Sequence, residues 1–214
     1  MTRKLYVLLG DVVASRKIDA TDPFQKKIER ALARLNLAYA KAIYAPFKVL
    51  KGRDEMGAVL TSISGLYSML IEFYSFTRPA VTRFALVKGE VDTGLRSKDT
   101  AKMDGLAFHR AAKMIDEMKK NKVLFQMAGG DEFLDPIFTA SINASLTLRQ
   151  NWTSHQWRIV LEYEKHETQA AAAKRLGITQ QAVSEVLLSA QWERIKNIES
   201  ALNQSLQRYD LRIK

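Results

Sequence analysis

Cysteine is absent from the 214 residues. That excludes disulfides and thiolate metal sites, and it agrees with a reducing compartment. Long apolar runs are also lacking: the longest tract, GLYSMLIEFYSF, is broken by Glu72 and is too short to cross a bilayer. Near the start, MTRKLYVLLGD has an apolar run of five residues before Gly10 and Asp11. This is too short for a signal peptide and reads as a buried first strand. Internal repeats and low-complexity segments are missing as well. Together these absences predict a cytoplasmic protein with no membrane segment.

What is present is an ordinary globular composition, 47% hydrophobic and 26% charged, with a net charge of +10. Residues 1–150 hold 24 Lys and Arg against 16 Asp and Glu, while residues 151–214 hold 9 against 7. A basic balance favours polyanionic partners such as nucleotides, DNA or anionic membrane, and it also keeps a surface soluble.

Along the chain, KLYVLLGD predicts a strand ending at Asp11. A helix follows from Asp22, with Phe24, Ile28, Leu32, Leu35, Tyr39 and Ile43 at three- and four-residue spacing. Asp22 can cap this helix, and Pro23 suits its first position. APFKVLKGRDEMGAVLTSI predicts two strands in a hairpin around KGRD. A helix over 64–76, a strand in AVTRFALVKGEVDTG, a helix in GLAFHRAAKMIDEMKKN and a strand in KVLFQM complete the first module. The order β-α-β-β-α-β-α-β is α/β (α+β), a ferredoxin-like split βαβ arrangement with an addition. After Pro136 the pattern is helical, and Thr153 to Gln156 has capping-box spacing. The expected domains are residues 1–140 and an all-helical 141–214.

In the second module, ETQAAAAKRLGITQQAVSEVLLSAQW predicts a helix, a turn at Gly177 and a second helix capped by Thr179. Ala172 supplies the small residue that two closely crossing helices need. AAKRLGITQQAVSEVL resembles the helix-turn-helix of bacterial regulators. The resemblance implies that Gln180, Gln181 and Ser184 face the major groove beside Thr179, with Lys174 and Arg175 on phosphates. Beyond it, Trp192, Ile195, Ile198, Leu202 and Leu206 form an apolar stripe that either packs on the module or pairs two subunits. Palindromic operators make a homodimer the expected state.

In the first module, the topology lets the strand-end Asp11 approach Asp54 and Glu55 at the hairpin. Such carboxylates suit Mg²⁺, which takes oxygen ligands from one or two carboxylates and from phosphates. Ser15 and Arg16, in VVASRK, are candidates to hold those phosphates.

KGRDEMGAV resembles the hairpin of class III nucleotide cyclases, with Arg53 where that family has glycine. GLAFHRAAKM resembles their helix G..VN.AARL. This implies a palm fold with Asp54 at a metal position, His109 at the catalytic Asn and Lys113 at the transition-state Arg. His109 and Lys113 are therefore candidates for catalysis and for nucleotide binding. Over almost the whole chain, GDVVASR, RFALVKGEVDTG and MDGLAFHRAAKM followed by a helix-turn-helix resemble the SatD family. The expected function is a DNA-binding transcriptional regulator whose palm binds a nucleotide with Mg²⁺. The alternatives are a nucleotidyl cyclase or transferase using Asp11 and Asp54, and a palm that serves only as a dimerisation scaffold. The letters GGDEF at 129–133 follow the fifth strand with no strand after them. They predict a turn with Asp131 or Asp135 capping the next helix.

Overall fold

A computed structural model of the chain describes residues 2–13, 22–50 and 54–213, with the side chains of Asp22 and Pro23 outside the description. The expected cap at those two positions, together with Ser15, Arg16 and Arg53, therefore lies outside the described residues. The chain divides into two compact units, Met1–Asn143 with Leu202–Lys214, and Ala144–Ala201.

The first unit contains β1 (Arg3–Val12), α1 (Asp22–Ala38), β2 (Ile43–Val49), β3 (Glu55–Leu60), α2 (Leu66–Thr77), β4 (Thr82–Val91), α3 (Leu106–Asn121) and β5 (Phe125–Ala128). The five strands form one mixed sheet in the order β2-β3-β1-β4-β5. β1 is central and antiparallel to both β3 and β4, whereas β4 and β5 run parallel, joined by α3. Its apolar sequence fits that position: Leu5 to Leu8 are all buried, as a strand covered on both faces requires.

Alternation sorts the side chains of β1 between the two faces. Leu5 and Val7 join Ala85, Val87 and the buried stripe Ala107, Ala111, Met114 and Met118 of α3. On the other face Phe84 meets Phe73 and Tyr74 of α2 in edge-on contacts at 5.2 and 6.1 Å between centroids. Each such aromatic pair contributes about 0.5–1.5 kcal/mol beyond its burial.

Two expectations change. The first helix stops at Ala38 instead of reaching Ile43, which opens β2. Pairing with β3 buries Ala45 and Phe47, and Pro46 is tolerated because β2 is an edge strand. The second change concerns residues 202–214, which belong to the first unit rather than to a 141–214 module. Leu206, Tyr209 and Asp210 are buried there.

The second unit takes the later turns of α4 (Leu134–Gln150), then α5 (Ser154–His166), α6 (Gln169–Leu176), α7 (Gln180–Ser189) and the first turns of α8 (Trp192–Arg212). The capping box at Thr153 is formed, with Gln156 N–H donating to Thr153 Oγ1 and Thr153 N–H to Gln156 Oε1. Trp152, Trp157, Val160, Ala172, Val183 and Ile195 are among the residues of this unit's core. Burial of Ile195, Leu202 and Leu206 within the chain answers part of the apolar stripe of α8.

Candidate functional site

Two short helices of the second unit present exposed polar side chains around one turn. Thr168 caps α6 by accepting from Ala171 N–H at 3.2 Å, and α6 ends at Gly177, whose φ of 67° is left-handed. That conformation suits glycine because no Cβ opposes it. Thr179 then caps α7, accepting from Ala182 N–H at 3.1 Å. Ala172 and Val183 are fully buried, so the helices approach closely through small and β-branched side chains. Lys174, Arg175, Thr179, Gln180, Gln181 and Ser184 are all exposed. Gln181 Nε2 donates to Glu185 Oε1 at 3.3 Å, and Arg175 lies 3.9 Å from Glu162. The six expected DNA-contacting residues thus share one turn and its flanking helical turns.

The strand-end carboxylates are arranged differently from expectation. Asp11 and Glu55 are cross-strand partners, and Val12 N–H donates to the Asp54 carbonyl at 3.0 Å. Yet Asp11 is buried and already matched by cations. Arg83 Nη1 donates to its Oδ2 at 3.1 Å, and Lys119 Nζ lies 3.2 Å from its Oδ1. Burial works to lower the Lys119 pKa, and Asp11 together with Asp116 more than offsets this, leaving the ammonium above its ordinary value. A Mg²⁺ on Asp11 would have to displace both cations. Among the described residues no group of three or more His, Asp or Glu could hold a metal. Where a Mg²⁺ is expected beside Asp54 and Glu55, Asp11 is paired in this structure with Arg83 and Lys119.

His109 and Lys113 lie on α3 but not beside Asp11. Lys119 is the residue of that helix which reaches Asp11, and His109 is ten positions earlier, about 15 Å along the axis. His109 is exposed, with Nε2 3.3 Å from Asp104 Oδ1, and Lys113 is exposed as well.

The GGDEF letters form a turn and a cap. Asp131 Oδ1 accepts from the N–H groups of Phe133 and Leu134 at 3.1 and 2.9 Å, at the start of α4. Asp135 Oδ2 accepts from Gly130 N–H at 3.0 Å, and its Oδ1 accepts from the Tyr209 hydroxyl at 2.5 Å. Nearby, Tyr6 donates to Asp210 Oδ1 at 3.1 Å and Ser62 to Oδ2 at 2.6 Å. Sequence reasoning missed this network because its members are separated by up to 204 positions.

The model of the SatD family matches residues 5–202. The chain belongs to the SatD family. No curated protein matches this SatD family member. Among solved structures it is similar to a regulator of polyketide synthase expression from Bifidobacterium adolescentis. Identity is 13% over 98% of this chain and 82% of that one, with a TM-score of 0.27.

Buried tyrosines in the first unit favour a loss of stability at alkaline pH. Burial, then Asp210, pushes the Tyr6 hydroxyl far above the usual phenol range; burial, then Asp135, does the same for Tyr209. Burial alone raises Tyr74. A raised folded-state pKa stabilises the fold below the unfolded value of about 10, and this stability is lost as pH rises above it. Each buried tyrosine should add to the decline in that range. Denaturant titrations at several pH values from 9 upward should show the decline, and Tyr209→Phe should make it shallower by one tyrosine's share. An unchanged slope in that variant would show that Tyr209 ionises equally in both states.

Proposed function

We propose that this SatD family member is a DNA-binding transcriptional regulator whose first unit binds a nucleotide. The observation that carries the reading is the α6–Gly177–α7 geometry. Two capped helices meet over Ala172, and the first turn of the second helix presents Gln180, Gln181 and Ser184 to solvent. A helix-turn-helix places that turn against base edges in the major groove, where glutamine pairs bidentately with adenine. Lys174 and Arg175 would contact phosphates on either side of the reading helix. Palindromic half-sites would call for a homodimer, and DNA as target implies a cytoplasmic location.

The sheet order β2-β3-β1-β4 agrees with the split βαβ of palm domains and supports a nucleotide as the small ligand. Compensation of Asp11 by Arg83 and Lys119 favours binding over two-metal catalysis, because the carboxylate charge is already neutralised. Regulation then requires that nucleotide affinity differ between the DNA-bound and free states.

Anisotropy of a labelled random duplex titrated with the full chain tests the DNA part. Log affinity should fall linearly with log salt between about 50 and 200 mM, with a slope near −0.9 per phosphate contacted. Binding indifferent to salt, or none at the lowest concentration, would contradict it.

A further inference from the structure

The nucleotide part of that reading leaves open where the ligand lies, and the Asp11 end of the sheet is already occupied by its own cations. The opposite end is different. A cleft of about 700 Å³ opens where β4 and β5 finish, bordered by the start of α3 and by Gly129 and Gly130. That volume is in the range of sites for small organic ligands. β4 and β5 are parallel neighbours joined by α3, and in such βαβ units ligands bind outside the carboxyl ends of the strands.

The lining has two characters. Lys4, Lys88 and Arg110 supply three cations against one carboxylate, Glu90. Lys88 is held in place, donating to the Ile213 carbonyl and lying 5.2 Å over the Tyr6 ring. Lys4 and Arg110 are exposed and have no ion-pair partner among the described residues. Cations left uncompensated around a concave surface raise the local concentration of anions. The apolar part includes Leu106, which is 67% exposed, a large hydrophobic side chain left at the mouth. Gly89 explains why Leu106 and Arg110 reach the strand ends. A Cβ at this position would lie 3.2 Å from that of Ala107, so glycine lets α3 press on β4.

We infer that this cleft is the ligand site of the first unit, taking a phosphorylated small molecule of nucleotide size. Lys4, Lys88 and Arg110 bind its phosphates, and Leu106 packs against its less polar part. The inference rests on the nucleotide reading for the choice of ligand and stands on the cleft for the location.

Calorimetric titration of the full chain with ATP, GTP, pyrophosphate and adenosine tests it, using wild type, a Lys4→Ala/Arg110→Ala variant and a His109→Ala/Lys113→Ala variant. All four positions are exposed, and unchanged melting without ligand would confirm that the variants fold. ATP or GTP should bind more tightly than adenosine. Loss of Lys4 and Arg110 should weaken that binding about tenfold or more, the scale of charge-assisted bonds, with little change on loss of His109 and Lys113. Pyrophosphate binding that depends on Lys4 and Arg110, with nucleotides no tighter, would support the cleft and remove the nucleotide. Nucleotide binding lost only in the His109/Lys113 variant would keep the nucleotide reading and overturn the cleft. No binding of any phosphorylated compound would overturn both.

Discussion

Arg149→Ala should unfold the second unit or lower its melting temperature by more than about 10 °C, given a cost of about 3–5 kcal/mol for removing one partner of a buried ion pair. Arg149 is 2% exposed in the middle of the helical core. Its Nε donates to Glu199 Oε1 at 2.5 Å and its Nη2 to Glu164 Oε1 at 3.1 Å. The guanidinium carbon lies 4.7 Å from the Trp152 ring centroid and 5.4 Å from that of Trp157. Trp192 Nε1 donates to the same Glu164 oxygen at 3.2 Å. Alanine would leave the Glu199 carboxylate buried without its cation and strip two indoles of a packed neighbour. All three tryptophans of the chain are in this unit, so fluorescence reports on it selectively. Arg149→Lys keeps the charge but not the planar fork and should lose an intermediate amount. A fluorescence transition that Arg149→Ala leaves within a few degrees would show that the network is not what holds the unit together.

The second large effect concerns recognition. Replacing Gln180 and Gln181 together by alanine should remove about 2–6 kcal/mol of discrimination between a specific duplex and a random one, at about 1–3 kcal/mol per bidentate pair. Both side chains are exposed, and the Thr179 cap and the buried Val183 are untouched, so the fold should hold. Affinity for random DNA should barely change, because phosphate contacts supply it. Lys174→Ala should do the reverse, weakening both duplexes alike and reducing the salt slope by about one. Undiminished discrimination in the glutamine double variant would mean that α7 is not the reading helix.

Local chemistry made much of the chain legible. The apolar KLYVLLG, the antiparallel pair of β2 and β3, the turn at Gly177 and the caps at Thr153 and Thr179 each depend on neighbours close in sequence, and the structure has them. The end of α1 is not legible because helical spacing continues past Ala38, while the gain from pairing with β3 is non-local. Asp11 stands near the end of β1 as expected, but its pairing with Arg83 and Lys119 is not legible, since they are 72 and 108 positions away. Arg149 carries no sequence sign of burial; its partners Glu164 and Glu199 lie on other helices. The cleft is invisible in the sequence for the same reason, being assembled from residues in or beside β1, β3, β4, α3, β5 and α8. In GGDEF, the two glycines border that cleft while Asp131 caps α4.

The most direct test of the regulator reading is an equilibrium comparison on DNA. Duplexes enriched by the full chain from a random pool would be titrated against shuffled versions of themselves at one salt concentration. Enriched duplexes should bind at least about 10³-fold more tightly, the lower end for specific readers. Equal affinity for enriched and shuffled duplexes would contradict it.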